Sequence, residues 1–147
     1  MNIVAIGAHP DDLEIFAYGF LAAASSRGDN LILGVATDGA AGGVNQGAEL
    51  ARQRAEEARN GLAALGTPTL LDLPDGQLAD APNAQNRIKD FIRNAAPDLV
   101  ITHAPEDYHP DHRALATYVG DAAGFICPVL FCDTLMGSVL RRIITLI

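Results

Sequence analysis

The chain has 147 residues, 49% of them apolar and 19% charged, which suits one domain with a sizeable core (residues 1–147) and argues against disorder. Its net charge of −8, with scattered arginines and no polybasic run, argues against a nucleic-acid surface or an anionic-membrane patch. MNIVAIGAHP lacks the segments of a signal peptide, and no apolar run reaches the roughly 18 residues of a membrane span, so a cytoplasmic protein is expected.

Strand-like and helix-like segments alternate along the chain. Residues 2–7 read as a buried strand, and LEIFAYGFLAAASSRG (13–28) as a helix with Ile15, Phe16, Gly19 and Phe20 at helical spacing, ending near Gly28. NLILGVATDG is the second strand and runs into the glycine-rich AAGGVNQG. AELARQRAEEARNGLAALG (48–66) is an Ala-rich helix stopped at Gly66. TLLDL makes a short third strand, PDGQLADAP a turn-rich loop, and NAQNRIKDFIRNA a helix ended by Pro97. DLVITHA is the fourth strand, DHRALATYVGDAA a helix, and PVLFCDT the fifth strand. Such alternation implies right-handed crossovers and a mainly parallel sheet covered on both faces. Cys127 and Cys132, in FICPVLFCD, are expected to be reduced, buried core residues.

All four histidines lie in or beside two short segments, AHPDDLE at 8–14 and YHPDHRA at 108–114. Each His-Pro-Asp follows an apolar run, at the carboxyl end of a strand, where open α/β sheets gather their ligands. If strands one and four lie side by side, the two segments are halves of one site. His9 and Asp12 are three apart with Pro10 between them, and His112 follows His109 by three, with Pro110 starting the helix. Two neutral imidazoles and a carboxylate suit a divalent metal with room for water, the ligands being His9, Asp12 and His112. Asp11, His109 and Asp111 are then free for proton work. Asp11 can take a proton from an activated water, and a cationic His109, its ring oriented by Asp111, can stabilise an oxyanion. That constellation suits metal-assisted hydrolysis of an amide or ester. His103 is expected either beside the ligands or as a satisfied polar residue. The plainer alternatives are Asp11 or Asp12 as helix N-caps, Asp11 with Glu14 as a capping box, and His109-Pro110 as an ordinary turn into a helix.

At these residues the sequence resembles the LmbE-like family, also called the GlcNAc-phosphatidylinositol de-N-acetylase (PIG-L) family. The resemblance rests on Ala8 to Glu14 and His109 to His112. TDGAAGG at 37–43, RAEEARNGLAALG at 54–66 and LDLPDGQL at 71–78 support it. It implies a three-layer α/β/α Rossmann-like fold and a zinc-dependent hydrolase that removes the N-acetyl group from N-acetylglucosamine-type sugars or conjugates. It also implies His9, Asp12 and His112 as metal ligands, Asp11 as general base and His109 as the charge-stabilising acid, with Arg54 and Asp75 toward substrate. The choice of Asp12 over Asp11 as ligand rests more on this resemblance than on spacing. Iron(II) fits the same ligand set as zinc.

Two departures stand out. Tyr18, Gly19 and Phe20 replace the family's usual small residues, and after the segment Asp133 to Gly137 the tail SVLRRIITLI does not resemble the usual continuation. A shortened wall around the sugar site is expected from the second departure, with self-association of the exposed edge. Three other readings stay open. One is a sugar- or nucleotide-binding module that uses TDGAAGGVNQG as a phosphate cradle. Another is a shortened relative that holds metal without activity, and the last is an ester or phosphoester hydrolase.

Overall fold

The computed structural model describes residues 1–44 and 46–132. Its elements in chain order are β1 (Asn2–Gly7), α1 (Asp12–Phe16), α2 (Tyr18–Ser26), β2 (Asn30–Thr37), α3 (Ala48–Gly61), β3 (Thr69–Leu73), α4 (Ala84–Asn94), β4 (Leu99–His103), α5 (Pro110–Ala123) and β5 (Val129–Cys132). Five parallel strands form one sheet in the order β3-β2-β1-β4-β5.

The run of apolar residues in β1 follows from its central place, because both faces of a parallel sheet are covered. Ile3 and Ala5 point to one side, packing with Leu13, Leu21, Leu33, Leu62 and Ile101. Val4 and Ile6 point to the other, with Ile88, Ile92, Leu115 and Val119. Helices α1 and α2 and the turn after α3 therefore cover one face, and α4 and α5 the other. This is the three-layer α/β/α, Rossmann-like arrangement. Each fully buried Ile or Leu contributes about 1.5–3 kcal/mol of transfer free energy.

β1 pairs with β4 through Ile3–Leu99, Val4–Val100 and Ala5–Ile101. The chain leaves β1 toward β2 on one side, while β4 lies on the other, so a crevice opens beyond their carboxyl ends. Thr102 Oγ1 donates to Ile6 O (3.0 Å) and Thr37 Oγ1 to Ala8 O (2.8 Å), fixing the strand ends that carry the two His-Pro-Asp segments.

Local differences from the sequence-based expectation are informative. The helix expected over 13–28 is two helices, with a kink at Ala17 (φ −124°). The bonds Ala17 N–H to Leu13 O and Leu21 N–H to Ala17 O run through the kink, so both backbone groups of Ala17 stay paired. The buried residues Leu13, Ala17, Leu21 and Ala24 continue one stripe across it. Gly28, at φ 86°, ends α2 as expected, with Asp29 N–H closing back on Ala24 O. Helix α3 stops at Gly61 rather than Gly66, because the fully buried Leu62 turns into the core there. Cys127 and Cys132 are free thiols but only half-buried, and they pack at opposite faces of the sheet. Of the expected fifth strand, Val129–Cys132 is present; Asp133 to Gly137 and the apolar tail lie outside the described residues. Among the described residues no helix is long and apolar enough to cross a membrane.

Candidate metal and active site

The first segment is a tight turn between β1 and α1. His9 N–H donates to Asp12 Oδ2 (2.6 Å), and Asp12 N–H returns to His9 O (3.3 Å). Gly7 makes this closeness feasible, since a Cβ there would meet Asp12 Cβ at 2.7 Å. Asp12 is 8% exposed, whereas Asp11 is turned outward. Asp11 sits at φ 139°, a backbone conformation that L-residues rarely adopt and that costs about 1–3 kcal/mol. It occupies the N-cap position of α1, but its side chain makes no capping hydrogen bond.

The second segment starts a helix differently. His109 is the N-cap of α5, its Nδ1 accepting the N–H of Asp111 (3.2 Å), and Pro110 opens the first turn. His112, in that turn, faces the first segment. Its Nε2 lies 3.2 Å from His9 Nδ1 and 3.5 Å from Asp12 Oδ1, and His9 Nδ1 lies 3.4 Å from Asp12 Oδ2. Donors on a tetrahedral ion with bonds of about 2.0–2.1 Å stand about 3.3–3.4 Å apart. The donors of His9, Asp12 and His112 therefore suit such an ion in chemistry and lie near its spacing, the two histidines facing different oxygens of Asp12. His103 stacks on His112 (ring centroids 3.7 Å apart, planes at 11°), and its Nε2 is 3.0 Å from Asp12 Oδ2. Three other donor triads, His9 with His109 and His112, Asp12 with His103 and His112, and His9 with Asp75 and Asp111, each share His9 or His112 with that set.

Asp111 corrects an expectation. Its carboxylate does not reach the ring of His109. Oδ2 accepts Gly76 N–H (2.7 Å) and lies 3.2 Å from His9 Nε2, while Oδ1 accepts Leu78 N–H (3.0 Å). At 1% exposure, with its oxygens engaged, it is a brace for His9 and not a group free for proton work. Asp75 is a second brace. Its Oδ1 is 3.3 Å from His9 Nε2, and its Oδ2 accepts Ala41 N–H (2.9 Å). Arg54 pairs with Glu57 within α3 (3.0 Å) and lies 4.0 Å from Asp11.

Protonation follows these contacts. Burial opposes a charge on His9, yet Asp111 and Asp12 outweigh it and push its pKa up to about 10, a measure of how strongly the site favours positive charge. Burial likewise opposes ionisation of Asp12 and Asp111. The hydrogen bonds of His103 and His9 to Asp12, and of His9, Leu78 and Gly76 to Asp111, hold both below the usual carboxylate range. Burial and the neighbouring charge of Asp12 push Asp11 upward. Burial, then the charge of His9, lowers His109, and burial, then His103, lowers His112. Both the lowered pKa and the backbone N–H received at Nδ1 favour a neutral His109 over the expected cation. With Nδ1 accepting a backbone N–H, its ring proton belongs on Nε2.

The site opens into a cleft of about 310 Å³, bordered by Asp11, Ile15, Arg54, Asp75, Tyr108 and His109. Asp107 and Tyr108 are residues that sequence reasoning missed. Asp107 is 3% exposed, its Oδ1 3.1 Å from His112 Nδ1, and the acid two places before His109 was the available signal. The glycine-rich loop does not present a phosphate cradle among the described residues. Its Ala40 and Ala41 N–H groups donate to the carboxylates of Asp38 and Asp75, which would repel a phosphate.

The sequence matches the family described as PIG-L, GlcNAc-PI de-N-acetylase, over residues 4–123. The chain belongs to this family. It is 34% identical over 125 residues to the uncharacterized deacetylase YaiS of Escherichia coli, covering 78% of this chain and 63% of that protein. Among solved structures it resembles N,N'-diacetylchitobiose deacetylase from Pyrococcus horikoshii, with a TM-score of 0.77 and 27% identity. That likeness covers 84% of this chain and 49% of the other. A conserved protein from Thermus thermophilus shares the fold at a TM-score of 0.79 and 24% identity, over 97% of this chain and 69% of that one. This member of the PIG-L family thus spans less than two thirds of the length of YaiS and about half that of the chitobiose enzyme.

Proposed function

We propose that the protein is a metal-dependent N-deacetylase that releases acetate from an N-acetylglucosamine-type sugar or conjugate. The observation that carries the reading is the convergence of His9 Nδ1, Asp12 and His112 Nε2, 3.2–3.5 Å apart, from the ends of adjacent strands. These three would hold the ion, zinc or iron(II). When bound, it lowers the pKa of a water ligand and polarises a carbonyl oxygen. Two relatives whose names make them deacetylases support the reaction class.

The remaining residues have distinct roles. Asp11, exposed to the cleft and raised in pKa, accepts the proton of the attacking water and returns it to the departing amine. His109, neutral with its proton on Nε2, donates a hydrogen bond to the oxyanion as the carbonyl becomes tetrahedral. Asp111 and Asp75 hold the His9 ring so that Nδ1 faces the ion. Arg54, at the cleft wall, offers donors to sugar hydroxyls. The free thiols of Cys127 and Cys132 suit a reducing, cytoplasmic setting.

The test is incubation of zinc-replete protein with a panel of N-acetylglucosamine conjugates, reading free primary amine. Amine release that disappears on chelation and returns with metal supports the reading. Stoichiometric zinc with no amine from any conjugate would overturn it.

A further inference from the structure

We propose that Asp107 is a positioning residue for the imidazole of His112, and that Arg113 holds Asp107 in place. The inference rests on the metal-site reading above and extends it to Asp107, just before the second His-Pro-Asp segment, and to Arg113 near that segment's end.

The starting point is a mismatch at His112. Its Nδ1 is buried and makes no hydrogen bond among the described residues, although Asp107 Oδ1 lies only 3.1 Å away. The two atoms are close but poorly aligned. A histidine that binds an ion through Nε2 carries its proton on Nδ1, and a buried N–H without an acceptor is costly. The Asp107 carboxylate, itself 3% exposed, is in reach of that proton after a small rotation of the ring. His9 shows the same design with the nitrogens exchanged: Nδ1 faces the donor set and Nε2 faces Asp111. Each imidazole then has a carboxylate behind it, which orients the ring and raises its basicity.

The carboxylate is in turn held by the loop that carries it. Asp107 Oδ1 accepts His109 N–H (2.9 Å), and Asp107 N–H donates to Ala104 O (3.2 Å). Arg113, on the first turn of α5, directs Nη1 to both Asp107 O (2.8 Å) and Tyr108 O (2.7 Å). One guanidinium therefore ties the two residues before His109 to the helix that bears His112.

The experiment measures zinc dissociation constants by competition with a chromophoric chelator, alongside thermal unfolding of the metal-free proteins. Asp107→Ala should weaken zinc roughly 10- to 100-fold and shift the visible spectrum of the cobalt-substituted protein. Asp107→Asn, which keeps an acceptor oxygen, should fall between parent and Asp107→Ala. Arg113→Ala should weaken zinc by a smaller factor, and Arg113→Lys should recover part of it. If Asp107→Ala does not fold, Asp107→Asn and Arg113→Ala carry the test. Variants that bind zinc within about twofold of the parent while melting earlier in the metal-free form would overturn the proposal, leaving Asp107 a loop staple. A parent that takes up no zinc would overturn the metal reading itself, and this role with it.

Discussion

His-Pro-Asp occurs twice at the mouth of this sheet, and the two copies do opposite things. In the first, the helix begins after the aspartate: α1 opens at Asp12, and Asp11 is left outside it at φ 139°, facing the cleft. In the second, the helix begins after the histidine: Pro110 opens α5, and Asp111 is carried inward to 1% exposure. The histidines differ correspondingly. His9 joins the donor set, while His109 caps a helix with Nδ1 and keeps Nε2 for the cleft. A shift of two residues in where the helix starts thus converts the same tripeptide from an exposed, cleft-facing carboxyl into a buried brace. Residue identity supplies the functional groups, and the position of the helix boundary allots the roles.

The contrast can be broken by substitution at matching positions. The largest effect is expected from Asp11→Ala, which should lower turnover of a competent N-acetyl sugar by about 10²–10⁴-fold while leaving zinc content intact. A parent-like rate would remove Asp11 from the chemistry. Next is Asp111→Ala, which strands the N–H groups of Gly76 and Leu78 and frees the His9 ring. We expect a loss of about 3 kcal/mol in denaturant unfolding, with zinc affinity reduced roughly 10-fold or more. Gly7→Ala presses a methyl against Asp12 and should cost about 1–3 kcal/mol, read as a lower melting temperature. The smallest effect has the opposite sign. Asp11→Gly relieves the positive φ and should stabilise the fold by about 1 kcal/mol, even as it removes activity. Equal destabilisation by Asp11→Gly and Asp111→Ala would refute the division of roles.

The sequence made the strands legible because their apolar runs are local signals bounded by Gly, Asp and Pro; TLLDL maps onto β3 residue for residue. The topology rules allow the pairing of β1 with β4, and so the meeting of the two His-Pro-Asp segments, and the sheet has that pairing. Spacing also suggested His9, Asp12 and His112, which the fold brings together, although preferring Asp12 to Asp11 drew on family resemblance. What escaped depended on distant partners. The destination of Asp111 is decided by amides at Gly76 and Leu78, more than 30 residues earlier, and nothing local announces them. The kink at Ala17 falls inside an uninterrupted helical pattern. Asp107 looked like any loop acid because its neighbour, His112 Nδ1, becomes visible only once β4 and α5 are docked.

The three-way junction at Asp111 also bears on how the chain matures. One carboxyl group joins turns separated by 35 and 102 positions, so the bonds that brace both turns must wait for the later helix. A half-synthesised chain, although it already carries the first histidine, should have no firm grip on any cation. Amide protons of Gly76 and Leu78 are then expected to become slow to exchange only in step with those of α5 during refolding, and earlier protection would break that order.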